Sequence, residues 1–206
     1  MESYPISFSI DYPAKSDRLT VAFRLITVIP IVILLMLLQP SSFENNQMGE
    51  DAIRITSLGI VLVPTILMIV FRRKYPKWWY EWNVALTKFS LRVAAYFLLL
   101  RDEYPSTDEE QAVHVVIPYP DVKRDLNQWL PLVKWFLAIP HYIVLCLLLV
   151  AVVICSIIVW FVIVFTGKYP QGIFRFVEGS MRWALRVGAY AFLLTTDQYP
   201  PFRLSE

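Results

Sequence analysis

The sequence predicts a mainly α-helical integral membrane protein with about four transmembrane helices in two parallel tandem repeats, and three observations support this prediction. The chain is 57% hydrophobic and 17% charged, whereas an ordinary soluble domain is about one quarter charged. Its apolar residues form long blocks with few charges. The same short motifs also occur twice, in the same order. Each unit is expected to contain a strand-like segment, membrane spans and a cytoplasmic amphipathic helix.

Repeated motifs divide the chain into a first unit, residues 1–107, and a second unit, residues 108–206. The motif at residues 71–76 and the motif at residues 165–170 both begin with phenylalanine and end in Lys-Tyr-Pro, 94 residues apart. Such self-similarity at a constant offset indicates duplicated structural units.

Charged residues also occupy matching places in the two units. Arg24 and Lys134 each precede a proline by six residues, and Asp102 and Asp197 each stand shortly before a closing Tyr-Pro pair. The matched placement of Arg24 and Lys134 makes them the leading candidates for a headgroup or partner contact.

Each unit is predicted to open with a short strand, at residues 6–10 and at residues 112–117. Alternate residues in both segments are apolar, which is typical of a strand with one buried face. A Tyr-Pro pair follows each segment and predicts a boundary, because proline disfavours helix in the residue before it.

Membrane spans are predicted from uncharged blocks, because a helix needs about 20 apolar residues to cross a hydrocarbon core of about 30 Å. The first unit has two such spans, at about residues 19–39 and 53–71. Between them lies a polar loop that carries Glu44, Glu50 and Asp51.

The second unit has one uncharged run, residues 135–166, with two interpretations. It is either one helix of about 48 Å or a hairpin with spans at about 129–147 and 149–166. Basic residues flank the run on both sides, and Lys and Arg prefer the cytoplasmic face. An even number of crossings is therefore expected, which favours the hairpin and places both termini in the cytoplasm.

Two amphipathic helices are predicted at about residues 77–100 and 171–194. Each has a basic stripe opposite an apolar, tryptophan-containing side, as helices lying in the headgroup plane have. Simple anchoring is the plainer interpretation. For Arg24 and Lys134, the plainer interpretation is that their long side chains extend to the interface, as snorkelling residues do. The candidate lipid- or partner-binding residues are Arg24, Lys134, Lys88, Arg92, Arg182, Arg186, Trp79, Trp82 and Trp183.

Other function classes find little support in the sequence. The predicted spans contain no Asp or Glu, which argues against ion-coupled transport. His114 and His141 are isolated, and no glycine-rich phosphate-binding motif is present. We therefore expect no catalytic residue, no cofactor, no metal and no nucleic-acid partner.

The second unit also resembles a known family. Three of its segments carry the resemblance: Trp135-Phe136-Leu137-Ala138-Ile139-Pro140-His141-Tyr142, Leu185-Arg186-Val187-Gly188-Ala189-Tyr190 and Asp197-Gln198-Tyr199-Pro200-Pro201-Phe202. They are similar to the uncharacterised prokaryotic membrane family called domain of unknown function 4389. The resemblance covers most of the chain, once in each unit, and is closer in the second, so it implies two tandem copies. It implies repeated membrane domains, but no activity.

The sequence therefore predicts a non-enzymatic scaffold or accessory subunit of the cell inner membrane. It would interact with anionic lipid headgroups, or with a membrane protein partner or second copy, through the cytoplasmic amphipathic helices. The alternative is a small channel or transporter with a path between the two units or at an oligomer axis.

Overall fold

The chain is mainly helical, as predicted. The structure, a computed structural model, describes residues 4–38, 57–107, 109 and 111–205, with only the backbone described for residues 57–61. The predicted outer loop with Glu44, Glu50 and Asp51 lies outside the described residues. The helices and strands are β1 (Ser7–Ile10), α1 (Arg18–Ala22), α2 (Arg24–Leu38), α3 (Ser57–Arg72), α4 (Lys77–Phe97), β2 (Val113–Val116), α5 (Lys134–Leu137), α6 (Ile139–Thr166) and α7 (Gln171–Gly188).

Strands β1 and β2 occupy the two segments in which alternate residues are apolar. They pair with each other as an antiparallel two-stranded sheet, with Phe8 opposite Val115 and Ser9 opposite His114. Phe8 and Val115 are buried, whereas His114 is exposed. The strand-like segments were predicted from this alternation, but their pairing across the two halves of the chain was not.

Helix α6 corrects the prediction for the second unit. Residues Ile139–Thr166 form one continuous helix, so the predicted hairpin with spans at 129–147 and 149–166 is wrong. The reason is local. Pro140 stands in the first turn, where proline is tolerated, and no glycine or proline follows until Gly167. Gly167, with φ 71°, ends the helix in the left-handed conformation that glycine adopts readily.

Residues 129–137, expected to begin a span, form shorter elements. A 3-10 turn covers Leu130–Leu132 and the single-turn helix α5 covers Lys134–Leu137. The predicted first span also differs, because helix α1 ends at Ala22 and α2 begins at Arg24.

Helices α4 and α7 run back along the apolar helices that precede them. The Trp79 indole N–H near the start of α4 donates to the Thr65 hydroxyl of α3 at 2.9 Å. Farther along α4, Phe89 and Val93 pack with Val28 of α2. Helix α7 likewise packs on the first part of α6, and it continues into a π-helical turn, Ala189–Leu193.

The segments after α4 and α7 turn in the same way. Leu99 and Leu194 both have positive φ, 66° and 57°, and both side chains are buried. Two tyrosines join the halves of the chain in a reciprocal manner, because the Tyr12 hydroxyl donates to the Tyr169 carbonyl and the Tyr119 hydroxyl donates to the Tyr75 carbonyl. These turns and bonds bring the ends of the apolar helices onto one shared core.

Candidate membrane-contact site

Arg24, at the start of α2, lies inside the protein. Its guanidinium donates to the carbonyls of Tyr96 and Arg101, each at 2.6 Å, and forms an ion pair with Asp102. It also lies 4.1 Å from the centre of the Tyr96 ring. All of these partners belong to the end of α4 or to the segment after it. Arg24 therefore joins the start of one apolar helix to the end of the helix that runs back along it.

Lys134 makes the corresponding contacts in the second half of the chain. Its ammonium forms an ion pair of 2.6 Å with Asp197 and donates to the Thr196 carbonyl at 2.7 Å. The Tyr190 ring centre is 5.2 Å away. Burial lowers the pKa of the Lys134 ammonium, because the charged form loses its hydration, and the bond to Asp197 opposes this effect.

Each of these carboxylates also accepts a backbone hydrogen bond. The Asp17 N–H donates to Asp102 at 2.8 Å, and the Asn127 N–H donates to Asp197 at 2.5 Å. Asp102 and Asp197 therefore each bind two groups: the buried cation, and a backbone N–H seven residues before that cation in the sequence. The snorkelling expected for Arg24 and Lys134 is wrong, because both side chains are fully buried and bonded to protein.

Part of the polar stripe of α7 faces the strand β1. Arg182 donates to the Phe8 carbonyl at 2.8 Å and to the Leu204 carbonyl at 3.0 Å. Glu178 accepts from the Ile10 N–H at 3.0 Å and pairs with Arg182 at 3.1 Å. A strand edge presents unpaired N–H and C=O groups, and these two side chains satisfy one of each.

The other candidate residues of α7 are also buried. Arg186 donates to the Ser205 carbonyl at 3.0 Å and lies 5.7 Å from the Tyr4 ring centre. Trp183 donates its indole N–H to His141 Nδ1 at 3.1 Å. The expectation that α7 directs its cations to water or phosphate is therefore wrong for Arg182 and Arg186, which bond polar groups of the same protein, whereas Arg175 is exposed.

The candidate residues of α4 remain closer to the surface. Lys88 and Arg92 are half-buried, and Arg92 donates to the Ser106 carbonyl at 2.8 Å. Trp82 is exposed and stacks on Trp79 with ring centres 5.5 Å apart. Of the predicted residues, those of α4 are the ones still placed to meet a lipid or partner from outside.

A broad apolar surface is exposed on the helices that the ion pairs hold. Among the described residues one helix, Ile139–Thr166, is long and apolar enough to cross a membrane, and Arg24–Leu38 and Leu62–Arg72 are shorter apolar helices. Only 17% of the most apolar stretch of Ile139–Thr166 is buried. In a soluble protein a helix this apolar is normally a buried core helix. The large exposed side chains on it include Ile143, Leu147, Leu149, Ile154, Ile157, Phe161 and Phe165.

A basic cleft lies directly after α3, and it was not predicted as a site from the sequence. Arg73, Lys74 and Lys123 line a cavity of about 420 Å³ beside Tyr119. Trp129 lines an adjoining cavity of about 340 Å³. The run Arg72-Arg73-Lys74 near a tryptophan pair is the signal that could have indicated it, because basic and aromatic residues gather at membrane interfaces.

The comparison with known families agrees with part of the sequence analysis. Residues 131–203 match a family described as a domain of unknown function (DUF4389). The match covers the resemblance found in the second unit, and it is a single match, so the second copy remains a prediction. No curated protein and no solved structure matches the chain. The matched segment contains Lys134, helices α6 and α7, and Asp197.

Proposed function

We propose that this protein is an integral membrane scaffold or accessory subunit, without catalytic activity of its own, that is held in the cell inner membrane by the exposed faces of α2, α3 and α6. The exposed apolar surface of α6 carries this proposal. Transfer of one large aliphatic side chain out of water contributes about 1.5–3 kcal/mol. Soluble monomers rarely leave a continuous surface of such side chains in water, so acyl chains are the natural environment of α6.

Headgroup contact is proposed for the accessible part of α4 and the basic cleft, rather than for α7. Lys88 and Arg92 are partly accessible, and Trp78 and Trp82, nearer the start of the same helix, are exposed. A lysine or arginine near an anionic surface contributes about 1 kcal/mol. Anionic lipid, or a membrane partner with an acidic surface, is therefore the proposed ligand of this side of the protein.

A cytoplasmic position for both ends of the chain is part of the proposal. The Tyr4 hydroxyl donates to the Arg186 carbonyl at 3.4 Å, and Arg186 in turn donates to Ser205. The two described ends thus meet on one side of α7. Multi-pass insertion with four crossings is not retained, because it required the hairpin that α6 replaces.

We also propose that the chain arose as a tandem duplication. The supporting observation is the recurrence of whole sets of contacts at matching sequence positions. Arg24 and Lys134 bond Asp102 and Asp197, and each carboxylate accepts a backbone N–H seven residues before its cation. A set of this size is difficult to explain by chance resemblance of short motifs.

The proposal is tested by extraction of membranes that contain the full chain. Alkaline carbonate should leave the protein in the membrane pellet, and its appearance in the soluble fraction would refute membrane insertion.

Purification in polymer nanodiscs, followed by mass spectrometry, should then recover an anionic lipid or a stoichiometric protein partner. The double variant Lys88→Gln/Arg92→Gln should weaken that recovery, whereas Lys168→Gln, at an exposed cation outside α4, should leave it unchanged. Flux of ions or solutes through reconstituted vesicles would instead favour the channel alternative.

A further inference from the structure

The residues that flank α6 at both ends are bonded to the same polar body, which consists of the β1–β2 sheet with residues 11–17 after β1, α4, α7 and residues 194–205. At the start of α6, the Tyr199 hydroxyl donates to the Leu137 carbonyl at 3.2 Å, next to the Lys134–Asp197 ion pair. At its end, the Ser16 N–H of the segment after β1 donates to the Gly167 carbonyl at 3.0 Å. Neither end of α6 is therefore separated from this body.

Protein also packs against α6 along its length: α7 covers its first part, and α1 lies on its later part, where the Trp160 indole N–H donates to the Val21 carbonyl at 3.1 Å. His141, Val152, Val159 and Ile163 are buried, and their spacing places them on one face of the helix. The last three belong to the same core cluster as Phe8 of the sheet. A narrow stripe of α6 thus packs against protein throughout, while the remaining circumference is apolar and exposed.

This arrangement conflicts with a crossing of the bilayer. The 28 residues of α6 span about 42 Å, which exceeds a hydrocarbon core of about 30 Å. A crossing helix would carry the attached body into that core. The sheet has exposed polar groups, among them the pair of His114 and Asp11 at 3.2 Å, and non-helical backbone does not face lipid within the hydrocarbon region.

We propose that α6 lies in the plane of the membrane, with its exposed face among the acyl chains of the cytoplasmic leaflet and with both of its ends on the cytoplasmic side. This inference rests on the proposed membrane insertion and specifies its form. The exposed cations Lys123 and Arg124 precede α6, and the exposed cations Lys168 and Arg175 follow it. This symmetry was the reason to expect an even number of crossings. A helix that does not cross satisfies the same condition.

Depth measurements on the full chain test this arrangement. Ile143, Ile154 and Phe165 are 61%, 54% and 75% exposed, and they follow one another at steps of eleven residues. Eleven residues correspond to about three turns and about 16 Å of rise, so the three positions share one face. Native Cys146 and Cys155 would be replaced by alanine, and each position would carry a single cysteine with a fluorophore quenched by lipids brominated at different depths.

An in-plane helix should give the same quenching depth at Ile143→Cys, Ile154→Cys and Phe165→Cys. A crossing helix should give three different depths, with Ile154→Cys deepest, and that result would overturn the inference while leaving membrane insertion intact. Loss of brominated-lipid quenching at all three positions would refute the proposed function itself. The two failures are therefore distinguishable.

The sidedness of the flanking segments provides a second measurement that does not depend on variants in the apolar face. Lys123→Cys and Lys168→Cys lie at exposed positions before and after α6. A membrane-impermeant maleimide should label both in inverted vesicles and neither in intact spheroplasts. Labelling of the two positions from opposite sides would contradict the inference. Labelling of both after detergent solubilisation provides the control for reactivity.

Discussion

Lys134 and Asp197 form an ion pair of 2.6 Å in which the lysine side chain is fully buried and the aspartate side chain is 21% exposed. Removal of one member of a buried pair leaves an uncompensated charge, which typically costs about 3–5 kcal/mol. We expect Asp197→Ala to lower the free energy of unfolding by an amount in this range, and Asp102→Ala to have a similar effect through Arg24. Unfolding in detergent micelles, followed by tryptophan fluorescence, measures both.

The matched control is the exposed pair of Lys77 and Glu81, 3.6 Å apart with side chains 77% and 59% exposed. Glu81→Gln should change the stability by less than about 0.5 kcal/mol, because exposed pairs contribute little. The double variant Lys134→Met/Asp197→Asn should recover most of the loss, since it removes the buried charge. If Asp197→Ala were as mild as Glu81→Gln, the pair would not be buried in the native protein.

The reciprocal tyrosine bonds give a prediction about the two halves of the chain. Tyr12→Phe and Tyr119→Phe each remove one hydroxyl that donates to a carbonyl in the other half. A hydrogen bond of this kind contributes about 0.5–1.5 kcal/mol, so each variant should lose an amount in that range, and the two losses should be similar. A large effect of one variant and none of the other would contradict equivalent roles.

Two glycines of α7 provide a matched comparison. A Cβ atom on Gly179 would lie 2.9 Å from both the Cβ and the carbonyl oxygen of Leu204, whereas a Cβ on Gly172 would meet nothing within 4 Å. Gly179→Ala should therefore displace the segment around Leu204 and lower stability by about 1–3 kcal/mol, as overpacking does. Gly172→Ala should be neutral or should gain up to about 1 kcal/mol, because alanine favours helix. Thermal unfolding and limited proteolysis after residue 200 distinguish the two.

Acid should loosen the start of the first helix. The Thr20 hydroxyl donates to the Asp17 carboxylate, as do the N–H groups of Leu19 and Thr20, and these bonds hold the pKa of Asp17 below its usual value of 3.8. The stabilisation is present above that usual value and is lost as the pH falls through the lower pKa of the folded state. Amide hydrogen exchange in α1 should therefore accelerate in this window, after correction for the intrinsic pH dependence.

Asp17→Asn isolates the titration from the cap, because asparagine caps helices about as well as aspartate. The variant should keep α1 protected at neutral pH and should show a weaker acceleration in acid. Equal acid sensitivity of the variant and the original chain would assign the effect to another group.

The sequence predicted those features that depend on nearby residues. Alternation of apolar residues identified the two strand segments. Arg24 and Lys134 were matched by their position ahead of a proline, but their buried pairing with Asp102 and Asp197 was not predicted. The contact of the Arg182 side chain with β1 was not predictable. A polar stripe on a helix indicates a polar environment, but it does not distinguish water from the edge of a strand. That strand lies more than 170 residues away in the chain.

Helix α6 shows a different limit of inference from sequence. The charges on its two flanks indicated that both flanks lie on one side, and this was combined with the assumption that every long apolar helix crosses the bilayer. The absence of glycine and proline between Pro140 and Gly167 was the stronger local signal. It favoured the single helix that the structure has.

The pairing of Ser9 with His114 has a consequence for biosynthesis. At about 5–20 residues per second, β1 leaves the ribosome roughly 5–20 s before β2 is made. The Arg182 and Glu178 side chains that bond its other edge are made later still. During this interval β1 has neither edge satisfied. Nascent chains of this protein therefore pass through a stage in which both edges of β1 are unpaired, and synthesis of β2 and α7 ends it.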